Sequence, residues 1–159
     1  MEKLEQRLPK EAKTVWIING LITFVILTLF PLGFFITTRF VDNFPLWPVW
    51  ISGGFAILMG VLTILITPNL KMIYWGYALR EEEVDIQYGI IIVKRTLIPM
   101  NRIQHVDTEH GPIQRRFKLA TLSITTAGSN HKIPALEETV AQQLRSDIAR
   151  LANMSDDDV

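Results

Sequence analysis

Residues 15–38, VWIINGLITFVILTLFPLGFFITT, and residues 44–66, FPLWPVWISGGFAILMGVLTILI, hold no charged side chain. About 20 apolar residues span the hydrocarbon core of a bilayer as a helix. At about 1.5 Å per residue, each run reaches roughly 35 Å, enough with some tilt. A chain of 159 residues is too small to bury two helices that are apolar on every side, so a soluble pair of core helices is rejected. The first run is too long for a cleavable leader, and no small-x-small site separates it from the second. The reading is a two-helix transmembrane hairpin within 14–68, with spans at about 15–38 and 44–66.

The flanks orient the hairpin. Arg39, Phe40, Val41, Asp42 and Asn43 form the link between spans. Lys3, Arg7, Lys10 and Lys13 precede the first span, and Lys71, Arg80, Lys94 and Arg95 follow the second. The positive-inside rule puts both chain ends in the cytoplasm and the short link outside. Trp16, Trp47 and Trp50 fall near span ends, where amphipathic rings sit at headgroup level. Pro45 and Pro48 fit the first turn of the second helix. No Asp, Glu, Lys, Arg or His lies within either span, which argues against an ion-coupled transporter. Ser52, Ala56 and Gly60 form a small-residue stripe at four-residue spacing. It packs either on the first span of the same chain or on another subunit.

Composition narrows the classes further. Lys+Arg and Asp+Glu both number 16, so the net charge is zero, and there is no cysteine. Neutrality argues against a nucleic-acid binder working by bulk electrostatics. Without thiols there is no disulfide framework, thiolate metal site or cysteine nucleophile. Residues 1–13 read as a charged cytoplasmic lead.

From Lys71 the pattern becomes short β segments. Met72–Leu79 is apolar and aromatic. Val84–Tyr88 alternates, with Val84, Ile86 and Tyr88 on one face and Asp85 and Gln87 on the other. Gly89 marks a turn, and Ile90–Leu97 is β-branched. Ile103–Glu109 alternates again, Ala120–Thr126 is a strand, Gly128-Ser129-Asn130 is a hairpin-type turn and His131–Ile133 pairs back across it. After Pro134, Leu136, Val140, Leu144, Ile148 and Leu151 make a helical stripe, with Pro134 suiting the helix start and Glu137 and Glu138 in the first turn. Residues 69–152 therefore read as a small cytoplasmic β-roll or barrel closed by a C-terminal α-helix. Residues 153–159 read as a disordered acidic tail.

Several pieces of this domain resemble the bacterial pleckstrin-homology-like family bPH2, formerly DUF304. They are Trp75-Gly76-Tyr77-Ala78-Leu79, Gly89-Ile90-Ile91, Ile98-Pro99-x-x-Arg102-Ile103-Gln104-His105-Val106-Asp107, Gly111-Pro112-Ile113-Gln114-Arg115-Arg116-Phe117, Leu119-Ala120-Thr121-Leu122, Thr126-Ala127-Gly128-Ser129 and Ile133-Pro134-Ala135-Leu136. The resemblance implies a PH-like fold, no enzymatic activity and residence in the bacterial plasma membrane. It also implies a larger multi-domain PH-like membrane protein as partner, and a role in resistance to antimicrobial peptides such as bacteriocins. No catalytic residues or cofactors come with it. Lys118 departs from the family pattern, which often has Gly there; a positive φ at that position would strain a lysine.

Two constellations invite a site. His105, Asp107 and Glu109 share a strand face with His110 just beyond, a set that suits a divalent metal or acid–base work; the plainer reading is a polar face, and no metal or catalytic residue is assigned. Arg102, Arg115, Arg116 and Lys118 form the densest basic set. They suit contact with anionic headgroups or a partner's acidic face. Thr121, Ser123 and Thr125 read as a solvated edge or a face for an added strand. No phosphate-cradling glycine loop or nucleophile-plus-base spacing occurs. The expected function is a non-enzymatic membrane-anchored subunit of a heteromeric complex. An anionic-lipid-sensing module and an accessory subunit of an export complex are the alternatives.

Overall fold

The computed structural model describes residues 6–157. They form two compact units, residues 16–69 and residues 6–15 with 70–157.

The first unit is the helical hairpin. Helix α1 runs Lys10–Phe40. Helix α2, Trp47–Val61, passes through a π turn at Leu62–Ile66 into α3, Thr67–Tyr74. The two helices long and apolar enough to cross a bilayer, Lys10–Phe40 and Trp47–Tyr74, are 31 and 28 residues long. Leu21, Val25, Leu29, Phe30, Trp50 and Leu58 are more than two-fifths exposed, as lipid-facing side chains should be. Small residues set how closely the spans approach. A Cβ on Gly20 would lie 2.8 Å from the Thr63 carbonyl oxygen, and one on Gly60 would lie 2.5 Å from the Phe24 ring. Thr63 keeps its hydroxyl satisfied by donating to the Met59 carbonyl at 2.8 Å. At the link, the Phe34 and Phe44 rings stack at 6.5 Å and Arg39 sits over Phe35.

The second unit holds six strands in two antiparallel sheets of three. One has the order β1-β2-β3, Gly76–Leu79, Glu83–Tyr88 and Lys94–Pro99. The other has the order β4-β5-β6, Ile103–Glu109, Leu119–Thr126 and Asn130–Glu137. A short helix α4, Pro112–Arg116, joins β4 to β5, and α5, Glu138–Asp157, closes the unit. Val84, Ile86, Ile98, Met100, Leu119, Leu122, Ile124, Ile133 and Leu136 form the core, with Ala141, Leu144 and Ile148 of α5 against it. The expected architecture, a membrane hairpin plus a PH-like roll capped by a helix, is what these elements build.

Several boundaries differ from expectation. Met72–Tyr74 continue the preceding helix, and the Trp75 amide still donates to the Lys71 carbonyl at 3.0 Å; the strand waits for Gly76. Residues 90–93 form a turn rather than strand. Pro134 lies inside β6, and the helix starts at Glu138. Ala135 takes φ +55°, and the β5–β6 register shifts between Ala120 and Leu122. A β-bulge at that point tolerates a proline. Helix α5 continues through residues 153–157, where a disordered tail was expected; Asp158 and Val159 lie outside the described residues. Strand β5 is central, not an edge, and Ser123 is buried with its hydroxyl donating to Asn130 Oδ1 at 2.8 Å.

The N-terminal segment belongs to this unit. Gln6 forms an antiparallel bridge with Tyr77, and Leu8, Ala12 and Val15 are buried. Strand β1 therefore has a neighbour on its outer side, which shields part of a sheet edge.

Candidate functional site

Strand β4 is an edge of its sheet, and among the described residues no strand pairs with its outer side. That edge opens into a groove of about 1380 Å³. The groove is lined by β4, by the 126–129 turn and by the last turns of α5. Three features of the sequence build it. Alternation in β4 turns His105 and Asp107 outward and leaves Val106 half-buried beneath. The turn after β5 is tied by Thr126, whose amide donates to the Ser129 carbonyl at 2.9 Å. Leu144 and Ile148 anchor α5 in the core, which leaves Arg145 and Ala149 facing outward. The charges are mixed: Arg102 and Arg145 against Asp107.

The four-residue basic set is divided by topology. Arg102 precedes β4, while Arg115, Arg116 and Lys118 follow its far end. A seven-residue strand separates them by roughly 20 Å at about 3.3 Å per residue. Arg115, Arg116 and Lys118 remain together, all exposed and none in an ion pair among the described residues. Helix α4 is held by Gln114, which accepts the Gly111 amide hydrogen at 3.2 Å and donates to Thr121 Oγ1 at 3.0 Å. Lys118 takes φ +52°, and its carbonyl accepts the Glu138 amide hydrogen at 3.0 Å.

His105, Asp107 and Glu109 do share the outer face of β4, but Glu109 is engaged by Lys132 at 2.8 Å. His110 turns away, its Nδ1 at 3.2 Å from the Leu119 carbonyl oxygen. Among the described residues no three acidic or imidazole side chains converge on a metal position. Of the small-residue stripe, Ala56 and Gly60 are buried and Ser52 is half-buried with its hydroxyl donating to the Pro48 carbonyl. Gly60 meets Phe24 of α1.

Two features escaped the sequence reading. Asp85 is fully buried although alternation put it on a polar face; β2 is the central strand, and both its faces are covered. Arg95 Nε lies 3.0 Å from each Asp85 oxygen, with Arg80 at 3.9 Å. The other is the exposed apolar turn at Ile91-Ile92.

A membrane hairpin carrying two small antiparallel sheets and one closing helix defines a class, the membrane-anchored PH-like proteins. The chain belongs to the bacterial PH domain family, matching it over residues 14–152. It is 48% identical over 116 residues to the UPF0699 transmembrane protein YdbS of Bacillus subtilis, covering 71% of this chain and 73% of that one. It is 33% identical over 88 residues to the UPF0699 transmembrane protein YdbT of the same organism, which is 54% of this chain and 18% of that much longer one. No solved structure matches it. The protein is thus a membrane protein of this family, which is not a known enzyme family.

Proposed function

We propose that this protein is a non-enzymatic assembly subunit whose PH-like unit receives a segment of a larger membrane protein of the same family. One observation carries the reading: the outer side of β4, unpaired among the described residues, opens into the groove of about 1380 Å³. An edge strand beside a helix can add an extended segment through main-chain hydrogen bonds, with side-chain pockets supplying selectivity. The mixed charges of Arg102, Asp107 and Arg145 suit a polypeptide better than a polyanion. The length of YdbT, of which this chain matches 18%, supports a larger relative as the segment's source. The basic residues flanking the spans support a cytoplasmic position for both chain termini. Protection of the envelope against antimicrobial peptides is the cellular role, and it rests on the family resemblance.

The test is a photo-crosslinking amino acid at His105 of the full chain in its own cells, with the same group at Glu81 as control. The expected result is a crosslink from position 105 to a larger membrane protein that also co-purifies in mild detergent. Recovery of uncrosslinked chain alone would remove the reading.

A second reading draws on Arg115, Arg116 and Lys118. Three exposed cations on one short segment suit anionic headgroups, each contributing about 1 kcal/mol near a charged leaflet.

A further inference from the structure

The turn Gly89–Val93 between β2 and β3 presents apolar side chains to the surroundings: Ile91 is 96% exposed and Ile92 72%. Residues 88–95 read YGIIIVKR, with no acidic residue. A hairpin loop that faces water is ordinarily polar, built from Gly, Asn, Asp, Ser and Pro. Here only Gly89 has that character, at φ +123°, where a Cβ would collide with the Ile92 carbonyl oxygen. The glycine makes the tight reversal, and the isoleucines are what the reversal projects.

The position of the turn matters as much as its composition. The register pairs Gly76 with Gln87, Gln87 with Arg95 and Tyr88 with Lys94. The turn therefore lies at the end of the sheet where β1 begins. Strand β1 begins at Gly76, two residues after α3 ends at Tyr74, and α3 prolongs the second spanning helix. The chain thus leaves the membrane span and enters the sheet at the end carrying Ile91 and Ile92. Trp75 lies between Tyr74 and Gly76 in the chain, and its ring is 5.8 Å from that of Tyr88. Trp and Tyr favour the headgroup layer, where one end is apolar and the other wet. Lys94, exposed beside the turn, adds positive charge of the kind anionic lipid attracts.

We propose that the Gly89–Val93 turn inserts into the headgroup–acyl boundary of the same bilayer that the hairpin spans. Ile91 and Ile92 are the wedge, Trp75 and Tyr88 sit at headgroup level, and Lys94 meets lipid phosphate. The tether keeps the turn beside the bilayer, so shallow insertion of two side chains suffices where a soluble domain would need more. The insertion is independent of the groove on β4.

The chain has no cysteine, so single-cysteine variants report one site each. The full chain carrying Ile91→Cys or Glu81→Cys, the latter at the opposite end of the same sheet, is labelled with an environment-sensitive fluorophore. It is then reconstituted into vesicles of phosphatidylethanolamine and phosphatidylglycerol. The expected result is blue-shifted emission at position 91, quenched several-fold more by shallow spin-labelled lipid than at 81, with the reverse order for aqueous iodide. Ile92→Cys should reproduce the order, which guards against an effect of one label. Iodide quenching at 91 equal to that at 81 would overturn the proposal. Protection at 91 from both quenchers would also overturn it, because a protein surface, not lipid, would then cover the turn.

Discussion

Lys118 sits at φ +52° in the turn after α4, a conformation that costs a residue with a Cβ and costs glycine little. Lys118→Gly relieves the strain and loses some unfolded-state entropy advantage, so the net gain is about 1 kcal/mol. Urea or thermal unfolding of the detergent-solubilised chain checks it; no gain would mean the turn relaxes around the lysine. Tyr77 offers a pH handle. Burial first, and the Glu137 carboxylate second, push its hydroxyl above the usual tyrosine range. The folded state thus holds the proton more tightly than the unfolded chain, whose tyrosine releases it at about pH 10. This contribution to stability is complete below that pH and is lost as pH rises through the raised folded value. The unfolding midpoint should fall above about pH 10, and Tyr77→Phe should flatten that fall. An identical profile in the variant would show that other groups carry it.

Among elements, the hairpin depends on two glycines that do different work from their neighbours. Gly20 and Gly60 stand where a side chain meets the opposing span, whereas a Cβ on Gly54 meets nothing within 4 Å. Without a hydrophobic drive between helices in lipid, such close approach is what holds two spans together. Gly20→Leu should loosen the hairpin by about 1–3 kcal/mol, the cost of overpacking, while Gly54→Leu leaves it unchanged. Heat-induced unfolding in detergent distinguishes them, and equal midpoints would show that the Gly20 contact carries no stability. The same geometry separates Gly60 of the small-residue stripe from Gly54, which lies outside it. Gly60 is engaged with Phe24, so a leucine there disturbs the chain's own hairpin first. Gly54 faces open space, and a leucine there probes a contact with another subunit.

At the scale of the whole molecule, neutrality and tethering act together. A chain with 16 charges of each sign has no net charge with which to steer a partner from a distance. The spans supply what net charge does not, because confinement to one bilayer raises the effective concentration of any other membrane protein. The groove on β4 and the Ile91-Ile92 turn can then work through modest contacts. The buried Asp85, held by Arg95 with Arg80 near, ties the central strand of one sheet to its edge strand. A buried carboxylate left without those cations would carry an uncompensated charge. The pair therefore secures β3, and with it the turn that precedes that strand.

The sequence by itself determined the hairpin, the strand at Ile103–Glu109, the closing helix and the family. Each is written in a local run: charge-free length marks a span, and a period of two or of 3.6 marks a strand or helix. A positive φ at Lys118 was legible only through the family resemblance, and as a condition on that turn; nothing in the local run states it. Tertiary structure alone decided the rest. A β-branched run such as Ile90–Val93 reads as strand because periodicity reports which residues are apolar and not what covers them. Asp85 read as solvated because alternation cannot tell a central strand from an edge. Arg102 read as one with Arg115, Arg116 and Lys118 because nearness in sequence hides the length of β4 between them. The pairing of Gln6 with Tyr77, and of Gly20 with Thr63, joins residues more than 40 positions apart. Such contacts depend on how elements are placed against each other, which no local pattern encodes.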